Sequence, residues 1–176
     1  MRGSVRRRVI IAAASAAFLT GILVLFLWLK GCFLPSWIEW NKGSRNHLPE
    51  GVLDMLATSW LVQDAVCFDI DGNGNDEWIL LVWKRGSYGP HRPTWVKHDE
   101  IGFSQHIFIY QDRRKDKAEE EDWHAMWMSS KLQLEAAAFF EGDEISGTGR
   151  HSLDIRSPEG VVTRWGWLSW GLTRVD

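Results

Sequence analysis

From Trp60 to the C-terminus the apolar residues fall into short runs rich in β-branched and aromatic side chains. Each run is closed by a cluster of Gly, Pro, Asn, Asp or Ser. Such runs suit pleated, half-buried strands, and the clusters between them suit tight turns. The expected strands are Ala65–Ile70, Glu77–Trp83, His106–Tyr110, Trp123–Met128, Leu134–Phe140, Ser152–Arg156 and Val161–Trp170. No long helix stands between them to carry a parallel crossover, so the pattern predicts antiparallel sheets and a mainly β fold. Ahead of them, Val52, Leu53, Leu56 and Trp60 fit one face of a short helix. The charged stretch Arg113–Asp122 reads as a solvated excursion between strands.

A different signal precedes this region. Val9 to Leu29 carries no charge and no proline, and as a helix rising about 1.5 Å per residue it would span about 30 Å, the thickness of a bilayer core. Arg2, Arg6, Arg7 and Arg8 come before it and Lys30 follows. The positive-inside bias therefore predicts a single-pass signal anchor, N-terminus cytoplasmic and C-terminal domain extracytoplasmic, held in the lipid bilayer through residues 9–29. Two other readings stay open. A cleaved secretory signal would have an apolar core of only about 7–15 residues and a small-residue exit site. Leu29-Lys30-Gly31-Cys32 resembles a lipobox, with Lys30 out of place, and would make Cys32 a lipidated terminus. The chain then divides into a basic segment and anchor at 1–30, a linker at 31–51 with Trp37 and Trp40 at the membrane interface, and an extracytoplasmic β domain at 52–176.

Five of the twenty basic residues lie in the first thirty positions, leaving fifteen against twenty-three acids, a net charge near −8 for the rest of the chain. Phosphate backbones would be repelled by it, so nucleic acid is not an expected partner. Two cysteines, Cys32 and Cys67, define no disulfide framework, and Cys67 within an apolar run is expected to be a small core residue. Twelve tryptophans suit a small core filled by large rings and also leave room for an aromatic binding face.

The most informative segment is Asp69-Ile70-Asp71-Gly72-Asn73-Gly74-Asn75-Asp76-Glu77, where oxygen-bearing side chains alternate with residues that relax the backbone. That spacing wraps a hard cation. Asp69, Asp71 and Asn73 would give side-chain oxygens, Asn75 its carbonyl and Glu77 a closing carboxylate, and calcium accepts six to eight such ligands. Magnesium prefers strict octahedral geometry and keeps its waters. An EF-hand is excluded, because its closing Glu would fall on Leu80 inside an expected strand. The same composition also makes a metal-free Asx turn.

The loop resembles the FG-GAP/VCBS repeat, the calcium-loop blade of integrin-type β-propellers, in which Asp-x-Asp-Gly-Asp/Asn-Gly-x-x-Asp/Glu joins the first two strands of a blade. The resemblance covers Val62 to Trp83 and thins out through Tyr110. It implies a structural calcium ion on Asp69, Asp71, Asn73, Asn75 and Glu77, with Asp76 facing outward. Glu141-Gly142-Asp143-Glu144 would be a degenerate second loop. At roughly 40–60 residues per blade the domain is too short for a closed ring of four to eight. One or two blades result, in an incomplete propeller or a small sandwich.

Among other constellations, Arg85, Tyr88, His91, Arg92 and Trp95 share one loop that could take an anion or a sugar, or fold its rings over a sheet edge. The histidines show no zinc spacing and no serine sits in a nucleophile elbow. Trp165 and Trp167 would share a strand face and fill core, with Trp170 on the other. The expected role is a membrane-anchored binding or assembly module with a protein or glycan partner. An extracytoplasmic hydrolase, carbohydrate-active for instance, is the alternative.

Overall fold

The structure, a computed structural model, describes residues 2–41, 45–88, 92–114 and 121–176, with side chains of the N-terminal helix described at 13 and from 15 onward. Helix α1 spans Arg2–Leu29 and a short helix, α2, spans Glu50–Met55. Eight strands follow: β1 Leu61–Phe68, β2 Glu77–Arg85, β3 Phe103–Asp112, β4 Trp123–Met128, β5 Ala138–Ile145, β6 Arg150–Arg156, β7 Val162–Leu168 and β8 Gly171–Arg174. They form two four-stranded antiparallel sheets, each in chain order: β1-β2-β3-β4 and β5-β6-β7-β8.

The membrane-spanning anchor expected at 9–29 is corrected. Among the described residues no helix is long and apolar enough to cross a membrane. The single-pass cell-membrane localisation, with the N-terminus inside and the C-terminal domain outside, is withdrawn with it. Trp37, expected at a membrane interface, packs against Trp83 of β2 with ring centroids 6.1 Å apart. Leu48, within the expected linker, is buried.

The period of two along β2 and β3 explains why both strands read as nearly continuous apolar runs. Ile79 pairs with Ile109 and Leu81 with Ile107, while Leu80 pairs with Phe108 and Val82 with His106. Successive residues point to opposite faces, and here both faces are covered. One meets the second sheet through Phe139, Leu153, Ile155 and Trp167. The other lies under Leu48, Val52 and Leu56 from α2 and its flanks. Burying each such side chain stabilises the fold by about 1.5–3 kcal/mol, so the first sheet is the middle layer of the domain.

Polar groups join the two sheets. The β1–β2 register shifts between Val62 and Asp64, leaving Gln63 as the extra residue of a bulge. Bulges re-aim side chains, and the Gln63 amide is turned into the interior. Its Nε2 donates to the carbonyls of Ala136 (3.2 Å) and Ala137 (2.8 Å), and its Oε1 accepts from Trp83 Nε1 (2.6 Å) and Gln105 Nε2 (2.9 Å). Gln105 also donates to Ala136 O and accepts from Ala136 N at 2.9 Å. Asp64 Oδ2 accepts from Phe139 N at 2.8 Å. The buried backbone leading into β5 is thereby satisfied from the first sheet, as buried amides require.

Strand boundaries depart from expectation where that network acts. The run Leu134–Phe140 is part connection, with Ala136 and Ala137 buried in it, and β5 begins only at Ala138 and continues through Glu141-Gly142-Asp143-Glu144, which is bulged strand and not a second loop. Val161–Trp170 is β7 and the turn that starts β8, and Trp170 at that turn is exposed. Trp167 is buried and Trp165 packs against the same core. Residues 115–120 of the charged excursion lie outside the described residues.

Gln105→Ala strands the buried Ala136 N–H, so its denaturant-unfolding stability is expected to fall by about 1–3 kcal/mol. Gln133→Ala, at an exposed position, should stay within about 0.5 kcal/mol of the parent.

Candidate metal centre

β1 ends at Phe68 and β2 begins at Glu77, and the eight residues between them turn back on their own side chains. Asp69 Oδ1 accepts from the backbone N–H of Gly72 (2.7 Å) and Asn73 (3.0 Å), and its Oδ2 from Gly74 (2.7 Å). Asp71 Oδ1 accepts from Asn73 N at 3.0 Å, and Asn73 Oδ1 from Asn75 N at 2.8 Å. Gly72 and Gly74 take φ of +74° and +87°, a left-handed backbone that costs other residues free energy.

The loop brings Asp69, Asp71 and Glu77 together, with one oxygen from each lying within 4.8 Å of the others. This acidic trio could hold a metal ion. Asp69 and Asp71 are half-buried and Glu77 is buried, whereas Asn73, Asn75 and Asp76 are exposed. Glu77 Oε2 accepts from Ile70 N at 3.1 Å and Oε1 from Gln111 Nε2 at 3.3 Å. Burial first, then the charges of Asp71 and Asp69, push the Glu77 carboxyl up to about 7, against the pull of the Ile70 and Gln111 hydrogen bonds. A cation would relieve the repulsion that now favours a proton on Glu77.

Two further residues of this centre have no local sequence signal. Gln111 stands opposite Glu77 in the β2–β3 register. Arg150, at the start of β6, crosses the loop so closely that a Cβ on Gly72 would lie 2.8 Å from its Cγ, and its Nη1 donates to Trp167 O at 3.1 Å. Each is set by pairing between elements distant in sequence.

Of the loop expected to take an anion or a sugar, Arg85, Tyr88, Arg92 and Trp95 are among the described residues. Arg85 is engaged, its Nη1 donating to Ile101 O at 2.8 Å and its guanidinium lying 4.6 Å from the Phe103 ring centroid. The Tyr88 carbonyl accepts from Lys84 Nζ. Arg92 is exposed, Trp95 is 82% exposed, and His91 lies outside the described residues. Cys67, expected in the core, is instead exposed beside Asp76, Asp112, Arg114 and Trp123. Partial burial, then Asp76 and Glu77, push its thiol up to about 11, so it stays protonated at neutral pH. His106 contacts Ser104 Oγ at 2.9 Å and the Ser129 carbonyl at 3.1 Å, but the pair is buried, and burial lowers the imidazole's proton affinity. A buried serine whose histidine meets a carbonyl instead of a carboxylate lacks the access and the orienting acid of an acyl-transfer site.

Comparison with family models, curated proteins and solved structures finds no match to this chain.

Because the Glu77 carboxyl rises from an ordinary 4.5 to about 7, the folded state holds its proton more tightly than the unfolded state. In chelator, the stabilisation from that proton should be whole below about pH 4.5 and lost as pH rises through about 7. Urea unfolding across that range should show the fall, and Glu77→Gln should flatten it.

Proposed function

We propose that this chain is a binding or assembly module in which a structural calcium ion organises the Asp69–Glu77 loop, a loop that resembles the calcium loop of an FG-GAP/VCBS repeat. The observation that carries this reading is the convergence of the Asp69, Asp71 and Glu77 carboxylates on a backbone turned by two left-handed glycines. Asn73 and the Asn75 carbonyl complete an all-oxygen ligand set of the kind calcium accepts. Such an ion replaces the Glu77 proton, cancels the repulsion among three carboxylates and fixes the turn from which β2 enters the middle sheet. Its role is to hold a surface in shape, with no bond made or broken at the loop. A hydrolase would need a raised carboxyl facing a cleft, and among the described residues the raised carboxyl is Glu77, buried and bonded to Ile70 N.

Calcium at about a hundred times its dissociation constant should add about 2.7 kcal/mol to the folded state. Thermal melts in millimolar calcium against chelator should separate clearly, and magnesium should do much less. Asp71→Ala should abolish the shift while Asp76→Ala, at an exposed position outside the trio, keeps it. Superimposable melts, with no heat of calcium binding by calorimetry, would reduce the loop to an Asx turn.

A further inference from the structure

The two sheets approach each other at β1 and β5. Where these strands meet residues 39–41, a cleft of about 320 Å³ opens to solvent, lined by Glu39, Trp40, Asn41, Asp64, Phe140 and Arg156 among others. That volume is at the small end of the roughly 300–1,000 Å³ of ligand pockets, room for one ring of a saccharide whose other rings extend into solvent. We propose that this cleft binds a neutral sugar ring, stacked on Trp40 and hydrogen-bonded by Glu39 and Arg156. The proposal stands apart from the calcium loop and does not depend on it.

The walls are held before any ligand arrives. Asn41 N donates to the carbonyl of the bulge residue Gln63 at 3.0 Å, and Asn41 Nδ2 donates to Asp64 Oδ1 at 2.9 Å. The same Asp64 carboxylate accepts from Ala65 N and Phe139 N, tying the floor to both sheets. Preorganised polar groups of this kind cut the ordering cost of binding.

Above that floor are two half-exposed rings, Trp40 at 41% and Phe140 at 46%. The Arg156 guanidinium lies 5.7 Å from the Phe140 centroid and 3.6 Å from Glu39 Oε2. An ion pair that long, between side chains open to solvent, is worth little to the fold and can open at small cost. Opened, it offers hydroxyl groups a planar donor and an acceptor side by side, next to an aromatic face that the C–H surface of a pyranose can cover.

Charge and polarity decide between ligand classes. Two carboxylates against one guanidinium disfavour phosphates and carboxylates. A wholly apolar ligand would strip water from Glu39 and Arg156 without replacing their hydrogen bonds. A polyhydroxylated ring with one apolar face meets both conditions.

Calorimetric titration of the full chain with cellotetraose, chitotetraose and maltotetraose tests the proposal. At least one should bind with a dissociation constant of about 1 mM or tighter. Trp40→Ala should weaken that binding about tenfold, and Glu39→Gln, at an exposed position, should weaken it severalfold with an unchanged melting curve. Trp95→Ala should leave it as it is. No heat from any of the three sugars at several times that concentration overturns the proposal. So does binding that Trp95→Ala abolishes and Glu39→Gln does not alter, since the sugar would then sit on the exposed loop.

Discussion

The buried amides of Gln63 and Gln105 are the interaction on which the two-sheet arrangement rests. Apolar packing between Ile79, Leu81, Ile107 and Ile109 on one side and Phe139, Leu153 and Ile155 on the other supplies the attraction, but it is non-directional. The connection through Ala136 and Ala137 is buried, and its backbone groups must find partners or forfeit their hydration. Gln63 reaches them because a bulge turned it inward, and Gln105 reaches them from two strands away. Attraction brings the sheets together, and the amides choose where they stop.

The acidic loop depends on the same framework. Glu77 is the first residue of β2, and Gln111 on β3 holds one of its oxygens while Ile70 holds the other. Arg150 brings the second sheet onto Gly72. Local turn chemistry bends the loop, but the position of its closing carboxylate is set by strand pairing. Burial is what raises the Glu77 carboxyl, so the sheets also set the electrostatic need of the site.

How much of this was legible in the sequence varies with the range of the interaction. The Asp/Asn/Gly loop and the strands beside it could be read, because turn residues and β-branched runs act locally. The start of β5 could not. Leu134 to Ala137 stand before apolar Ala138–Phe140 as if in one strand, yet they are connection, with Ala136 and Ala137 buried on the amide network, and the polar Glu141–Ile145 are strand because one face of the second sheet meets water. Ser169 and Trp170 look like more strand, but Ser169 takes a positive φ and reverses the chain. Gln111 and Arg150 had no signal at all, since nothing in their neighbours foretells a partner across the fold. The uncharged run at 9–29 was read by length and composition as a membrane span, a reading that the described helix does not carry.

The sequence distance of the amide bonds bears on how the chain assembles. Every ladder within each sheet joins strands adjacent in the chain, so each meander forms by closing one loop at a time between neighbours, and closure entropy grows only slowly with loop length. The bonds from Gln63 to Ala136 and Ala137 span 73 and 74 residues, and that from Phe139 to Asp64 spans 75. Contacts so distant reward the chain only after much of it is ordered, which slows folding. Docking of the two sheets is therefore expected to follow the formation of the meanders.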